Sequence, residues 1–359
     1  MEISLRQANR FLLQRQHLLK PCDDPLQAVR DACGLQAQIP STAALALRAR
    51  VAGFSLADYD RMIASERSLV RTWAMRGTVH TVPSDQLERY TRIYTEGQEL
   101  GPGAKQALEL LAAGPQTRGQ LMERAMATLG VSGERAKELF GPWGGVLRTL
   151  ARHALTVHMP VEGPDVPVVL TEQWLGRPPG PSSREALEDA LLQDYLHGYG
   201  PATMKDFGYF LAWPLTRVRP IFARARGLAE VRLEGSKLSH FMPEALLPEL
   251  LATRGDEAAP VRLLPRFDSL LLAYRDRARL LDPAFRTRVF RPAAVVEATV
   301  LVDGRVAGTW RMKRTTRELQ VVYEPFRKGR GSGLPRALEA EFRRLARWYG
   351  LERLRVEVG

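Results

Sequence analysis

The chain is 359 residues long, 45% hydrophobic and 26% charged, and carries 52 basic against 40 acidic side chains for a net charge of +12. That length holds roughly two to four domain-sized units, each able to bury a core. No apolar run is long enough to cross a bilayer, and Met1-Glu2-Ile3-Ser4 is followed by neither a basic flank nor an apolar signal core, so a helical membrane span is excluded and a cytoplasmic, non-exported protein is expected.

In chain order, Ser4 is placed to cap a helix that runs to Leu13. A second helix is predicted over residues 25–33, opened by Pro25 and stopped by Gly34. Gln36-Ala37-Gln38-Ile39-Pro40 follows, with Ser41 as the cap of an Ala/Leu-rich helix through Arg50, and Ser55 before a further helix over residues 56–64. Residues 69–82 alternate and are rich in Val, Thr and Trp, which reads as a hairpin bent at Gly77; Ser84 then begins another helix.

Near Lys105 the pattern restarts. Leu108, Leu110 and Leu111 belong to one helix, Thr117-Arg118-Gly119-Gln120-Leu121 opens a second, residues 146–153 form a third, and residues 155–159 are extended. The same order returns with a helix over 187–198, helices over 204–211 and 217–225, and a strand over 228–233. Gly114-Pro115-Gln116-Thr117 and Gly200-Pro201-Ala202-Thr203 are the matching turns. Helix, turn, helix, longer helix and strand is the order of a winged helix, a module that enters a DNA groove in some proteins and only packs in others.

The last hundred residues differ. Segments 261–264, 270–274, 295–302, 305–313 and 319–323 are strand-like, and Asp303-Gly304 suits a two-residue turn with positive φ at both positions. Residues 329–333 read as a flexible linker, because their alternating glycines lack the strand and acidic partner of a dinucleotide site. Pro335 opens a helix on which Leu338, Phe342, Leu345 and Tyr349 share one face, and residues 354–358 close with a strand. The fold class is therefore α+β, tandem winged-helix motifs followed by a C-terminal β-barrel-like domain. The units are residues 1–100, 101–180, 181–255 and 256–359.

Charge is distributed unevenly. Residues 260–359 hold 22 basic and 11 acidic side chains, nearly the whole surplus, which is the footprint of a surface for a polyanion. Arginine supplies 45 of the 52 cations, a bias that a GC-rich genome also produces. Cys22 and Cys33 form no metal or disulfide pattern, and the six histidines are scattered, so neither metal nor cofactor is expected.

No hydrolytic triad, phosphate-binding glycine loop or spaced carboxylate pair is visible. Four blocks carry a resemblance instead. They are Gln36-Ala37-Gln38, then Arg71-Thr72-Trp73-Ala74-Met75-Arg76-Gly77-Thr78-Val79-His80, then Leu264-Pro265-Arg266-Phe267-Asp268-Ser269-Leu270-Leu271-Leu272-Ala273-Tyr274-Arg275-Asp276-Arg277, and Val302-Asp303-Gly304-Arg305-Val306-Ala307-Gly308-Thr309-Trp310. Together and in this order they resemble the AlkZ/YcaQ family of bacterial DNA glycosylases.

The resemblance implies three tandem winged helices and a C-terminal barrel, and a monofunctional enzyme that hydrolyses the N-glycosidic bond of N7-alkylated purines, interstrand crosslinks included. The substrate would be double-stranded DNA, and a monomer is expected. Gln36 and Gln38 match the family's Gln-x-Gln catalytic motif. An amide orients water well but is no base near neutral pH, and no lysine matches a family nucleophile, so direct attack by water is expected. Arg71, Arg76 and His80 are candidate DNA contacts beside the triplet, with Trp73 read as core. Arg305, on a hairpin tip able to enter the minor groove, and Arg277 complete the DNA-binding set. Asp268, Tyr274, Asp276 and Arg277 also suit a buried ion-pair network. A non-enzymatic winged-helix transcriptional regulator is the alternative; it leaves the amide triplet without a use.

Overall fold

The structure, a computed structural model, describes residues 1–95, 98–141, 145–161, 163, 165–180, 182–255, 258–327 and 334–359. The 329–333 glycine segment of the sequence reading lies outside them. Contacts divide the chain into two units. One comprises Met1–Leu35, Ser41–Ala57 and Gln193–Gly359; the other comprises Gln36–Pro40 and Asp58–Leu192. The Gln36-Ala37-Gln38 triplet thus folds with residues downstream of it and not with the helices that flank it in sequence.

The unit that holds the triplet is built on a sheet. Its order runs from the edge strand ending at Gln36 through Val79–Pro83, Leu69–Trp73 and Thr156–His158 to Val168–Leu170. The expected hairpin is present, paired from Leu69↔Pro83 to Trp73↔Val79. Helices Pro102–Leu111, Arg118–Leu129, Gly133–Phe140 and Gly145–Arg152 bury Ala107, Leu111, Leu121, Phe140, Leu147 and Leu150 in one cluster. The helix Gly133–Phe140 was not foreseen. Ser132 caps it, accepting from the Arg135 N–H, and its short amphipathic run was masked by glycines on both sides.

The two Gly-Pro-x-Thr turns share a cap and a bridge but not a backbone path: Gly114 has φ of 115°, and the Gly200-Pro201 bond, unlike Gly114-Pro115, is cis. Thr117 and Thr203 each close a capping box, on helices Arg118–Leu129 and Met204–Leu211. The residue before each threonine makes an isolated antiparallel bridge to a strand, Gln116 to Val168 and Ala202 to Phe241. Each bridge has two backbone hydrogen bonds of 2.8 and 3.0 Å. Both copies then continue through helices to a pair of strands, Thr156–His158 with Val168–Leu170 and Leu228–Leu233 with Ser239–Pro243.

In the other unit, Ser4 caps helix Leu5–Arg15 as expected, and Pro40, not Ser41, starts the helix that ends at Arg50. The C-terminal sheet has the order Arg353–Val358, Glu318–Pro325, Arg305–Arg314, Thr299–Val302, Arg262–Leu264. The final strand is parallel to its neighbour, which requires the intervening crossover helix Arg336–Trp348. That helix lays Leu338, Phe342 and Leu345 on Val300, Trp310, Leu319 and Val321; each such fully buried side chain contributes about 1.5–3 kcal/mol.

Three expectations are corrected here. Among the described residues this sheet stays open, with edge strands Arg353–Val358 and Arg262–Leu264, so it is not a closed barrel. Residues 270–274 are not a strand: Asp268 caps the short helix Ser269–Leu272, accepting from the Leu270 N–H. A triple-leucine run carries no periodicity, and the cap decides its conformation. The Asp303-Gly304 turn forms with φ of 47° and 74°. Its tip does not project. A Cβ on Gly304 would meet Leu13 at 2.8 Å, and Asp303 accepts from the Ala259 N–H. Among the described residues no helix is long and apolar enough to cross a membrane.

Candidate active site

Backbone pairing positions the triplet. The Ala37 N–H donates to the Val79 carbonyl at 2.8 Å, and the Val79 N–H donates to Gln38 Oε1 at 3.3 Å. Ala37 is buried and Gln38 exposed, while Gln36 is only 8% exposed. The loop of the adjacent hairpin, where the Ala74 N–H donates to the Thr78 carbonyl, carries Arg76 and Gly77 with φ of 56° and 68°. For arginine the left-handed conformation costs about 1–2 kcal/mol, and such cost is met at sites that the surroundings over-determine. This backbone directs Arg76 Nη2 to Gln36 Oε1 at 3.1 Å and to His80 Nε2 at 3.3 Å.

These contacts settle the atoms. Arg76 and the Val79 N–H can only donate, so the oxygen of each glutamine faces them and its nitrogen faces away. His80 Nδ1 lies 3.0 Å from the Thr78 carbonyl, which can only accept; Nδ1 therefore carries the hydrogen and Nε2 receives Arg76. Burial, and then the Arg76 guanidinium, hold the His80 pKa down at about 3, so the ring is neutral.

A second histidine lies on the same sheet. His158 pairs with Arg71 across neighbouring strands, sits 3.3 Å from the Arg71 carbonyl through Nδ1, and packs on Trp73 with ring centroids 4.4 Å apart. Burial and the Arg71 charge lower its pKa to about 3 as well. Trp73 also packs against the unit's helical core, as its reading as core required. Sequence reasoning missed His158, because only strand pairing brings it to residue 71.

The five candidate DNA contacts differ in exposure. Arg71 and His80 are buried, Arg76 is half-buried, and Arg305 alone is exposed. Arg305 donates to the carbonyls of Arg279 at 3.0 Å and Ala278 at 3.2 Å. Arg277 is turned inward. It donates to the Leu271 and Arg275 carbonyls and stacks over Phe290 at 4.2 Å and Tyr209 at 4.7 Å. A guanidinium committed this way reaches a phosphate only by breaking its packing. Asp276 is exposed, and Asp268 pairs with Arg50 instead of Arg277, which corrects the proposed ion-pair network. Among the described residues no three His, Cys, Asp or Glu side chains are grouped to hold a metal.

The arrangement offers two amides oriented by fixed donors, with the neutral His80 behind Arg76. Residues 29–348 match the model of the AlkZ-like DNA glycosylase family. The chain is 31% identical over 385 aligned positions to the interstrand DNA cross-link repair glycosylase of Streptomyces sahachiroi, with both chains covered in full. The solved structure of the Streptomyces sahachiroi DNA glycosylase AlkZ superposes with a TM-score of 0.85 at 29% identity, again over the whole of both chains. The protein belongs to the AlkZ-like DNA glycosylase family. It is a DNA glycosylase, and the regulator reading is set aside.

Proposed function

We propose that the protein removes N7-alkylated purines from double-stranded DNA by hydrolysis, unhooking interstrand crosslinks among its substrates, with Gln36 and Gln38 holding the attacking water. The observation that carries this reading is the pair of amides fixed by obligate donors. Alkylation at N7 makes the purine cationic, so it leaves without a strong general acid. What remains for the enzyme is to place water beneath the anomeric carbon and to stabilise charge on the sugar. A carbonyl oxygen has two acceptor sites, which lets Gln36 Oε1 engage Arg76 and a water hydrogen together. The relative's name, an interstrand DNA cross-link repair glycosylase, supports crosslinks as substrates.

In this reading the successions at residues 101–180 and 181–255 are winged-helix units. Their support is the repeated bridge from the turn to the second strand of each wing. The first winged helix is assigned to residues 1–100, although contacts divide them between the two compact units, the basic C-terminal motif is residues 256–359, and the enzyme acts as a monomer in the cytoplasm. Arg305 is kept as a DNA contact.

The test is base release from duplexes carrying N7-methylguanine or a nitrogen-mustard crosslink. Gln36→Ala and Gln38→Ala should each abolish most release while DNA binding is retained. Full release by both variants would refute the catalytic assignment.

A further inference from the structure

We infer that Arg76 is a positioning residue for the glycosylase reaction, fixing the Gln36 amide through a direct hydrogen bond instead of gripping DNA. This rests on the reading of Gln36 as the group that holds water. Arg76 was expected among the DNA contacts, and three observations assign it otherwise.

The first is where its fork points. Nη2 reaches two acceptors of the protein itself, Gln36 Oε1 at 3.1 Å and His80 Nε2 at 3.3 Å. The second is what lies behind it. His80 is 1% exposed, and its Nδ1–H is committed to the Thr78 carbonyl, so its Nε2 presents only a lone pair to Arg76. The ring acts as a fixed acceptor against which the guanidinium is braced. The third is the backbone. Arg76 takes φ of 56° beside Gly77 at 68°, although a glycine at either position would be unstrained. An arginine held there is held for its side chain.

The chemical need is specific. The two ends of a carboxamide have nearly the same shape, and rotation about the last bond exchanges acceptor for donor. Only the oxygen can take a hydrogen from water while leaving a water lone pair for the anomeric carbon. If the nitrogen took its place, it would donate to the water oxygen, occupying one lone pair and lowering the nucleophilicity of the other, which slows attack. With Arg76 in place, the flipped amide sets its own donors against a cation, so the productive orientation is selected before substrate arrives. Gln38 is held in the same sense by the Val79 N–H. Only one of the two clamps is therefore a side chain that can be removed.

The experiment measures single-turnover base release from a duplex containing N7-methylguanine, with enzyme in excess, so that maximal rate and half-saturating enzyme concentration are read separately. Arg76→Gly is the principal variant, because glycine suits the left-handed backbone and keeps the hairpin; its melting curve checks this. Its maximal rate should fall about a hundredfold, with half-saturation changed by less than about twofold. Added ethylguanidinium should restore part of the rate, and ethylammonium should not. Arg76→Lys should stay slow, since a point charge cannot reproduce the planar fork. In a Gln36→Ala background, Arg76→Gly should cost nothing further.

A loss confined to half-saturation, with a shallower salt dependence, would make Arg76 a phosphate contact and overturn the inference. So would an equal rate loss with and without Gln36. Full activity of Gln36→Ala alone would instead defeat the underlying reading of the site, an outcome visible before Arg76 is touched.

Discussion

Arg50 and Asp268, far apart in sequence, form a bidentate ion pair with neither side chain exposed: Nη1 lies 2.8 Å and Nη2 2.7 Å from the two carboxylate oxygens. Both partners are also tied to backbone. Arg50 donates to the Ala46 carbonyl, and Asp268 accepts from the Leu270 N–H as the cap of the helix Ser269–Leu272. Removing one partner leaves the other charge buried and unpaired, a loss of about 3–5 kcal/mol, whereas replacing both by apolar groups is far milder. Asp268→Ala should therefore shift the urea midpoint strongly downward, and Arg50→Met with Asp268→Leu should recover much of it. A single variant as stable as the parent would show that the pair holds nothing together.

This pair also shows what the sequence could not disclose. Asp268 stands in a block that invites pairing with Arg277 nearby, but its partner is on a helix more than two hundred residues earlier. Local signals were readable because their physics is local: the Ser4, Thr117 and Thr203 caps, the Asp303-Gly304 turn, and the apolar face of Leu338, Phe342 and Leu345. The residues Gln36 and Gln38 were legible through resemblance alone. Their surroundings were not, because strand pairing sets the Val79 N–H against Gln38 and places His158 opposite Arg71. The open C-terminal sheet was misjudged for a related reason: strand count does not say whether the outer strands meet.

Stability should peak near neutral pH and fall on both sides. His17 Nε2 lies 2.7 Å from Asp31 Oδ2. Burial opposes charging His17, but the hydrogen bonds and charges of Asp31 and Cys22 together outweigh it and lift the pKa to about 9. Burial likewise opposes the ionised Asp31, yet His17 and His197 hold it well below the usual carboxylate range. The raised His17 favours the folded state fully below its unfolded pKa of about 6.5, and that contribution is lost as pH rises to about 9. His80 and His158 act in the opposite sense. Folded, they stay neutral down to about 3, while the unfolded chain takes up protons below about 6.5, so stability falls as pH drops through that interval. Melting temperatures across pH should show both limbs, with His17→Gln flattening the alkaline one. A melting temperature that climbs steadily to pH 9 would contradict the His17 assignment.

Base release should be insensitive to pH across the neutral range. The two glutamines do not titrate, and His80 and His158 remain neutral down to about 3 under burial and the charges of Arg76 and Arg71. A rate governed by a general base would instead bend at that base's pKa. At saturating enzyme, the rate on N7-methylguanine duplex should be flat between about pH 5.5 and 8.5. An inflection near 6.5 that vanishes in His80→Gln would convict the histidine of proton transfer and remove water positioning as the sole role of the site.

The C-terminal surplus of charge gives a test of where DNA is held. On the outward face of the sheet, Lys313 pairs in register with Gln320, which pairs with Arg355, and Arg311 lies in the next outward row, paired with Val322. Arg311, Lys313, Arg353 and Arg355 are all exposed. Three carboxylates share this face: Glu357 in register with Val322, Glu318 in register with Arg353, and Glu324 beside Arg311. Arg311 meets Glu324 at 2.7 Å, but with side chains 68% and 36% exposed such a pair is worth at most about 1 kcal/mol and yields readily to a phosphate. If the DNA backbone lies across this face, each lost contact should reduce the slope of log affinity against log salt by about 0.9. The triple change Arg311→Ser, Lys313→Ser and Arg355→Ser should then weaken binding, flatten that slope and leave the maximal rate of base release untouched, because these charges position the duplex and take no part at the sugar. A parental slope in the triple variant would move the grip on DNA to another surface of the protein.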